Sequence, residues 1–209
     1  MRENGSDFSD FPNDWSTQAM TEAVENGLLG GVTDTTIAPQ GKLTRAQMAT
    51  IINRAFGATA QASLSGYTDV ASNAWYYSDM AKAVQMGTFV GVGSGRLNPD
   101  AEITREQAFC VLSRAFGIDT ASASSLSRFS DSGDVSSWAA EAVAGMIASG
   151  YVGGYDDGGL HPKSTITRAE FASVMSRLVE TYVSAAGDVS EDVDGNMIVR
   201  SADVHLQNM

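Results

Sequence analysis

Three arginines occupy a position where a cation is unfavourable, and each could bind an anion. Each follows a threonine that has Gln or Glu three residues later, a pattern typical of a capping box at a helix start. The arginine is then the first helical residue, where the helix dipole disfavours a positive charge by about 0.3 to 1 kcal/mol. Its charge must therefore be offset. The boxes are Thr44-Arg45-Ala46-Gln47, Thr104-Arg105-Glu106-Gln107 and Thr167-Arg168-Ala169-Glu170.

Two explanations for these arginines remain open from the residues alone. A structural one is an ion pair with the aspartate of an aromatic-x-Asp triplet, of which the chain has three. A functional one is an anion site, in which the guanidinium, free helix amides and the dipole together bind a carboxylate or phosphate. The triplets end at Asp10, Asp69 and Asp131.

The boxes belong to a threefold internal repeat. When Trp15, Trp75 and Trp138 are set in register, the following 41 residues of each segment align without a gap. Seven columns are identical in all three copies, including the tryptophan, the proline and the box Thr-Arg pair. The other identical columns are Gly27/Gly87/Gly150, Gly31/Gly91/Gly154 and Arg54/Arg114/Arg177.

Each repeat is predicted to be a helix, a Gly-rich loop and a second helix. Apolar residues recur with helical period before Gly27, Gly87 and Gly150, each of which could end a helix in a left-handed conformation. We expect first helices over 14–26, 74–86 and 137–149, and second helices from each box. The repeats cover 8–57, 67–117 and 129–180.

One such helical hairpin buries little, so the three copies must share a core. They could stack linearly or close around an axis, and closure needs no special end repeats. The fold class predicted is mainly α, with three helix-loop-helix repeats closed into a pseudo-threefold assembly. Residues 185–209 differ in composition and are predicted to be a linker with one or two strands, as a short extended or β tail.

Three further columns have a structural and a functional interpretation. Trp15, Trp75 and Trp138, in the first helical turn, are favoured as core anchors, although an exposed indole could support a sugar ring. Gly31, Gly91 and Gly154 are favoured as backbone devices for positive φ, which also let a ligand come close. Arg54, Arg114 and Arg177 lie on another helix face and are favoured as structural.

Composition excludes several classes of function. The net charge of −12 with no basic cluster argues against nucleic acid, and no apolar run is long enough to span a membrane. A single cysteine, Cys110, excludes an internal disulfide and is expected to be a buried, inert thiol. We find no metal-ligand spacing, cofactor motif or catalytic constellation, so the chain is not expected to be an enzyme or to need a cofactor.

The assembled motifs resemble the S-layer homology domain. The third repeat is nearest the family pattern, with Phe129-Ser130-Asp131, Gly153-Gly154-Tyr155-Asp156 and Ile166-Thr167-Arg168-Ala169-Glu170. The second repeat is the next most similar to the family pattern. The first repeat departs most from it, because its loop, 32–38, lacks the usual Gly and aromatic residues.

That resemblance implies a function at the bacterial cell surface. Such domains anchor proteins non-covalently by binding secondary cell wall polysaccharide, commonly through pyruvylated amino sugars, or in some cases peptidoglycan. The implied location is extracellular, at the cell wall or S-layer, and we expect a monomer. The alternatives are a structural or protein-binding scaffold with vestigial grooves and, third, a polysaccharide-cleaving enzyme.

The resemblance also implies which residues line the grooves between repeats. Arg45, Arg105 and Arg168 would bind the ketal carboxylate of the sugar. The grooves would be shaped by Asp10, Asp69, Asp131, Trp15, Trp75, Trp138, Gly31, Gly91 and Gly154. The tail is similar to the beginning of a β-solenoid domain, so we expect the chain to be a fragment of a longer surface protein.

Overall fold

In the part of the chain that the structure describes, the regular elements are six α-helices, two short 3₁₀ helices (Ala123–Arg128 and Ser132–Asp134) and four short strands. The computed structural model describes residues 8–183, 185, 187–189, 195–199 and 204–206. The first helices of the repeats are α1 (Thr17–Glu25), α3 (Tyr77–Gln85) and α5 (Ala140–Ala148). The second helices are α2 (Arg45–Ala55), α4 (Arg105–Phe116) and α6 (Arg168–Leu178). The prediction of a mainly helical chain of three repeats is confirmed.

The second helices begin at the predicted capping boxes. The hydroxyls of Thr104 and Thr167 each accept a hydrogen bond from the backbone amide three residues later. The side chain of that later residue accepts a hydrogen bond from the threonine amide. Thr44 and Gln47 make the same two bonds, at 3.2 and 3.0 Å. The first helices end as expected, because Gly27, Gly87 and Gly150 have φ of 64°, 73° and 77°.

The chain divides into two compact units, each with its own buried side chains. The first comprises Met1–Gly41, Ile51–Ala58 and Thr167–Met209, and in it α1 packs against α6 around Met20, Ile37 and Phe171. The second comprises Lys42–Thr50 and Thr59–Ile166, and in it α4 packs against α5. Its fully buried side chains include Leu43, Phe89, Phe109 and Ile103.

A closed ring of backbone hydrogen bonds joins the three repeats within the second unit. The Ile103 amide donates to the Leu43 carbonyl at 2.9 Å, the Ile166 amide to Ile103 at 3.0 Å and the Leu43 amide to Ile166 at 3.3 Å. All three side chains are fully buried. They occupy the same column, immediately before the box threonine, so equivalent segments are linked in cyclic order, as a closed rather than a linear arrangement of repeats requires.

The C-terminal segment has the extended, β character predicted for it, with four short strands among the described residues where one or two were expected. β1 (Val179–Val183) directly follows α6, without a linker, and pairs in parallel with β3 (Asn196–Val199). β2 (Gly187–Val189) pairs in parallel with β4 (Val204–Leu206). β1 and β2 thus each pair with the second strand after them, so all four strands have a partner. The rest of the predicted tail, including most of 190–209, lies outside the described residues.

No helix in the described ranges has the length and apolarity needed to cross a bilayer.

Candidate functional site

A pocket of about 440 Å³ in the second unit brings together residues from all three repeats. Arg45 comes from the first repeat, the loop and α4 come from the second, and Trp138 comes from the third. Three of the predicted site columns therefore meet in one place. The lining residues are Arg45, Phe89, Val90, Gly91, Val92, Gln107, Cys110, Val111, Arg114 and Trp138.

Backbone carbonyls, rather than a carboxylate, hold the Arg45 guanidinium. Its Nε donates to the Leu97 carbonyl at 2.7 Å and its Nη2 to the Val90 carbonyl at 3.2 Å. The guanidinium carbon lies 5.3 Å from the centre of the Phe89 ring, within range of a cation–π interaction. These contacts offset the unfavourable position of the charge at the helix start.

Part of the guanidinium remains available to a ligand. Arg45 is only 5% exposed, yet it lines the pocket. An arginine has five N–H donors, and those not donated to Leu97 and Val90 have no hydrogen-bond partner among the described residues. Burial lowers the pKa of Arg45 to about 10, Asp69 opposes this shift and nearby Arg114 adds to it. The side chain is therefore charged at neutral pH and would gain from an anion beside it.

The helix amides do not contribute to an anion site, contrary to the functional alternative in the sequence analysis. The Arg45 amide donates to the Ala101 carbonyl and the Ala46 amide to Pro99, both at 2.9 Å. The Gln47 amide donates to the Thr44 hydroxyl. Because these first-turn amides are already paired, anion binding would depend on side chains.

The predicted ion pair is also absent in its direct form. Among the described residues, neither Arg45 with Asp69 nor Arg168 with Asp10 forms a salt bridge. Instead, the Asp69 carboxylate accepts the amides of Leu97 and Asn98, at 3.0 and 2.7 Å. The Leu97 carbonyl then accepts Arg45 Nε. The backbone of Leu97 thus lies between the Asp69 carboxylate and the Arg45 guanidinium.

These amide bonds change the ionisation of the aspartate. Partial burial alone would raise the pKa of Asp69, but the Leu97 and Asn98 amides outweigh it and hold the pKa below its usual value. The carboxylate is therefore ionised at neutral pH, and it fixes the loop that carries the arginine's acceptor. Asp69 is not among the lining residues, so we infer that it shapes the pocket indirectly, by holding this loop.

The invariant loop glycine is required by steric contact, not by positive φ. The expectation of positive φ at Gly31, Gly91 and Gly154 is wrong, since none of them has it. A Cβ on Gly91 would lie 3.2 Å from a ring carbon of Tyr67, and one on Gly154 would lie 2.7 Å from Phe129. The aromatic residue of each aromatic-x-Asp triplet therefore lies against the glycine and leaves no room for a side chain at Gly31 and Gly154, and little at Gly91.

The tryptophans are exposed, so the preference for core anchors is wrong. Trp15, Trp75 and Trp138 are 64%, 65% and 56% exposed. Each lies in a turn two residues before its helix rather than in the first helical turn. An exposed indole offers an apolar face and one N–H donor, which suits a sugar ring.

Sequence reasoning missed several lining residues, Arg114 above all. Arg114 was assigned a structural role because it lies on another face of its own helix from Arg105. In the structure it lines the same pocket as Arg45, which belongs to a different helix. Its invariance in the repeat alignment was the available signal. The lining thus holds two cations and no carboxylate, although the chain carries a net charge of −12.

Comparison with known proteins assigns the family. The sequence model of the S-layer homology domain matches residues 7–49, 66–109 and 128–172, together more than half of the chain. The chain belongs to the S-layer homology domain family.

Relatives that carry S-layer homology repeats include surface proteins and enzymes. The chain is 31% identical over 169 residues to a surface-layer 125 kDa protein of Lysinibacillus sphaericus, covering 79% of the chain and 14% of that protein. It is 38% identical over 113 residues to a cellulosome-anchoring protein of Acetivibrio thermocellus, covering 51% of the chain and 25% of that protein. An endoglucanase of a Bacillus strain is 28% identical over 182 residues, covering 85% of the chain and 19% of the enzyme.

The chain thus spans a quarter or less of each of these relatives. The endoglucanase matches over the S-layer homology part, so its likeness carries no information about catalysis. The family and the surface proteins make this chain a cell-surface module that serves in anchoring.

The other two S-layer homology arginines repeat the Arg45 arrangement. In the first unit, Arg168 Nε donates to the Ile37 carbonyl at 2.7 Å and its Nη2 to Gly30. The Asp10 carboxylate accepts the Ile37 and Ala38 amides, both at 2.8 Å. Burial lowers the pKa of Arg168, and Asp10 opposes that shift.

Arg105 is held in the same way in the second unit. Its Nε donates to the Leu160 carbonyl at 3.0 Å, and Asp131 accepts the Leu160 and His161 amides, both at 2.7 Å. Its guanidinium carbon lies 4.5 Å from the Tyr155 ring centre. The charge–peptide–charge arrangement is thus common to all three repeats, whereas the aromatic partner differs.

Among the described residues, no cluster of three or more His, Cys, Asp or Glu side chains could hold a metal ion.

Proposed function

We propose that this module anchors its protein by binding an acidic sugar of the secondary cell wall polysaccharide, with a pyruvylated amino sugar as the ligand unit. The observation that carries the proposal is the lining of the Arg45 pocket. Two arginines and no carboxylate favour an anion, and the adjacent Trp138 favours a sugar ring.

The pocket also suits the remaining groups of such a ligand. A ketal carboxylate would accept the unpaired N–H donors of Arg45, while Arg114 supplies a second charge. Phe89, Val90 and Val92 provide apolar surface for the methyl group of a pyruvyl or acetamido substituent. The burial that lowers the pKa of Arg45 would be partly offset by the bound carboxylate, since opposite charges interact more strongly where water is scarce.

We also propose that Arg105 and Arg168 serve equivalent sites, with Asp10, Asp69 and Asp131 holding the loops and Gly31, Gly91 and Gly154 admitting the aromatic rings. The exposed indoles of Trp15 and Trp75 would offer further surfaces to sugar rings. Several weak sites on one polymer would add avidity, so a single substitution would affect wall binding less than it affects binding of a free sugar. The repeat boundaries 8–57, 67–117 and 129–180 remain part of the same proposal, as does the monomeric state.

The first experiment uses purified cell walls, before and after chemical removal of the secondary polysaccharide. The chain is expected to sediment with intact walls and to lose binding to stripped walls. Undiminished binding to stripped walls would refute polysaccharide recognition and indicate peptidoglycan instead. Absence of binding to both, with association to another surface protein, would favour the scaffold alternative.

The second experiment tests the pocket itself. Calorimetric titration with the methyl glycoside of a pyruvylated N-acetylhexosamine is expected to show binding that Arg45→Ala weakens at least about tenfold, because a charge-assisted bidentate contact is lost. Lys42→Ala is the control, since Lys42 is an exposed cation outside the pocket. Equal effects of the two substitutions would refute a specific role for Arg45.

A further inference from the structure

A buried glutamate of α4, a helix that lines the Arg45 pocket, is bonded to the segment just before α5. Glu106, in the first turn of α4, is 3% exposed. Its carboxylate accepts the amide and the hydroxyl of Ser136, both at 2.9 Å. Lys163 Nζ donates to the same carboxylate at 2.5 Å and also contacts the Ser136 hydroxyl. We call Glu106, Ser136 and Lys163 the clamp.

The clamp fixes the turn that carries Trp138. The Ala139 amide donates to the Ser136 carbonyl at 2.9 Å, so Ser136 begins the turn in which Trp138 lies. Trp138 is 56% exposed, so packing covers less than half of it. Its position against the pocket therefore depends on how firmly this turn is attached to α4, which supplies Gln107 and Arg114 to the lining.

The other two repeats lack this clamp. The residues equivalent to Glu106 are Ala46 and Ala169, which have no polar side chain. The turn of Trp15 is held locally, since Asp14 accepts the amide and hydroxyl of Ser16. Next to Trp75, the Tyr76 hydroxyl donates to Asp100 at 3.1 Å. Of the three tryptophan turns, it is thus the turn of Trp138 that is held by a carboxylate from the second helix of the preceding repeat.

We propose that Glu106 is a positioning residue, which holds Trp138 in place and thereby strengthens sugar binding in the Arg45 pocket. A wall that is already ordered loses little side-chain and loop freedom when a ligand binds. If the turn of Trp138 were not held, a ligand would have to order it on binding. The proposal rests on the function proposed above, and it assigns unequal roles to repeats whose invariant residues are the same.

The test uses the full chain with Trp15→Phe and Trp75→Phe, so that all tryptophan fluorescence comes from Trp138. In this parent, Glu106→Ala introduces the residue that the other repeats carry. It is expected to weaken binding of the pyruvylated methyl glycoside roughly 3- to 10-fold, as expected for loss of preorganisation of one side chain and its turn. The fluorescence anisotropy of ligand-free Trp138 is expected to fall. Glu141→Ala, which removes an exposed carboxylate from α5, is the matched control and should change neither value.

A double-mutant cycle separates positioning from a general structural effect. If Glu106 acts through Trp138, Glu106→Ala will cause no further loss of affinity, measured by calorimetry, in a chain that already carries Trp138→Ala. An equal loss in both backgrounds would overturn the proposal, as would unchanged affinity and anisotropy in the single variant. Should circular dichroism show that Glu106→Ala is unfolded, Ser136→Ala removes only the hydroxyl contact and should shift both readouts in the same direction by a smaller factor.

Failure of the proposed function gives a different result. If the parent chain does not bind the sugar, the binding part of the inference falls with it. Acrylamide quenching and anisotropy of Trp138 then still report whether Glu106 holds the turn, and no change in either would overturn the positioning role as well.

Discussion

Replacement of Asp69 by Asn tests whether a carboxylate, and not merely a polar side chain, holds the loop beside the pocket. Asp69 accepts the Leu97 amide at 3.0 Å and the Asn98 amide at 2.7 Å, one with each oxygen. In Asp69→Asn one oxygen becomes an NH₂ donor, so one backbone amide loses its acceptor. A hydrogen bond to a charged group contributes about 1.5–3 kcal/mol. We therefore expect the free energy of unfolding to fall by about 1.5–3 kcal/mol at pH 7.

The same argument fixes the pH dependence. The pKa of Asp69 is lower in the folded chain than in the unfolded one, because the two amides favour the ionised form despite partial burial. Its contribution to stability is then fully present above the unfolded pKa, which is about 3.9, and is lost as the pH falls through the folded pKa. The difference between Asp69→Asn and the natural sequence should therefore be constant from pH 7 to pH 5 and shrink below about pH 4.

Urea unfolding followed by near-ultraviolet circular dichroism at pH 7, 5 and 3.5 would measure both effects. Asp134→Asn is the control, because Asp134 is exposed and lies in the same loop region as the equivalent Asp131. A loss below about 0.5 kcal/mol at pH 7, which is typical of surface substitutions, would refute the assignment of Asp69 as the loop's anchor. A difference that stays constant down to pH 3.5 would refute its electrostatic basis.

Two further predictions concern the loop glycines and the single thiol. Gly31→Ala should reduce the free energy of unfolding by about 3 kcal/mol, because a Cβ there would overlap the Thr33 carbonyl and lie 2.6 Å from a Phe8 ring carbon. Gly91→Ala should cost no more than about 1 kcal/mol, since its nearest atoms are 3.2 Å away, and equal losses in urea unfolding would contradict the steric explanation. Cys110 is 2% exposed, and burial raises the pKa of its thiol to about 11. It should react with Ellman's reagent at pH 8 more than a hundredfold more slowly in the folded chain than in urea, and equal rates would contradict its burial.

Local features of the chain were accessible from the sequence. The capping boxes, the left-handed glycines after the first helices and the placement of Arg45, Arg105 and Arg168 at helix starts all depend on residues within a few positions of one another. The repeat made these patterns recognisable, because each pattern occurs three times in the sequence. The family resemblance depended on the same residues, and the match over 7–49, 66–109 and 128–172 confirms it.

Relations between repeats were not accessible in this way, because they depend on which side chains meet after folding. The linear periodicity placed Arg114 on another face of α4 from Arg105, but it did not show that Arg114 lines the same pocket as Arg45. Likewise, an amphipathic pattern does not reveal that Trp138 lies in an exposed turn before its helix. The C-terminal strands form by pairing between segments that are not adjacent in the chain, and composition does not indicate which segments pair.

The sequence by itself therefore determined the helices, their caps and the family, since these follow from short-range hydrogen bonding and repeated residue types. Only the tertiary structure decided what offsets the arginine charge. Each guanidinium donates to the carbonyl of a residue whose amide donates to an invariant aspartate: Leu97 for Arg45, Leu160 for Arg105 and Ile37 for Arg168. No spacing rule predicts that link, because the three groups come from two repeats and meet only when the loop of one closes over the helix start of the other.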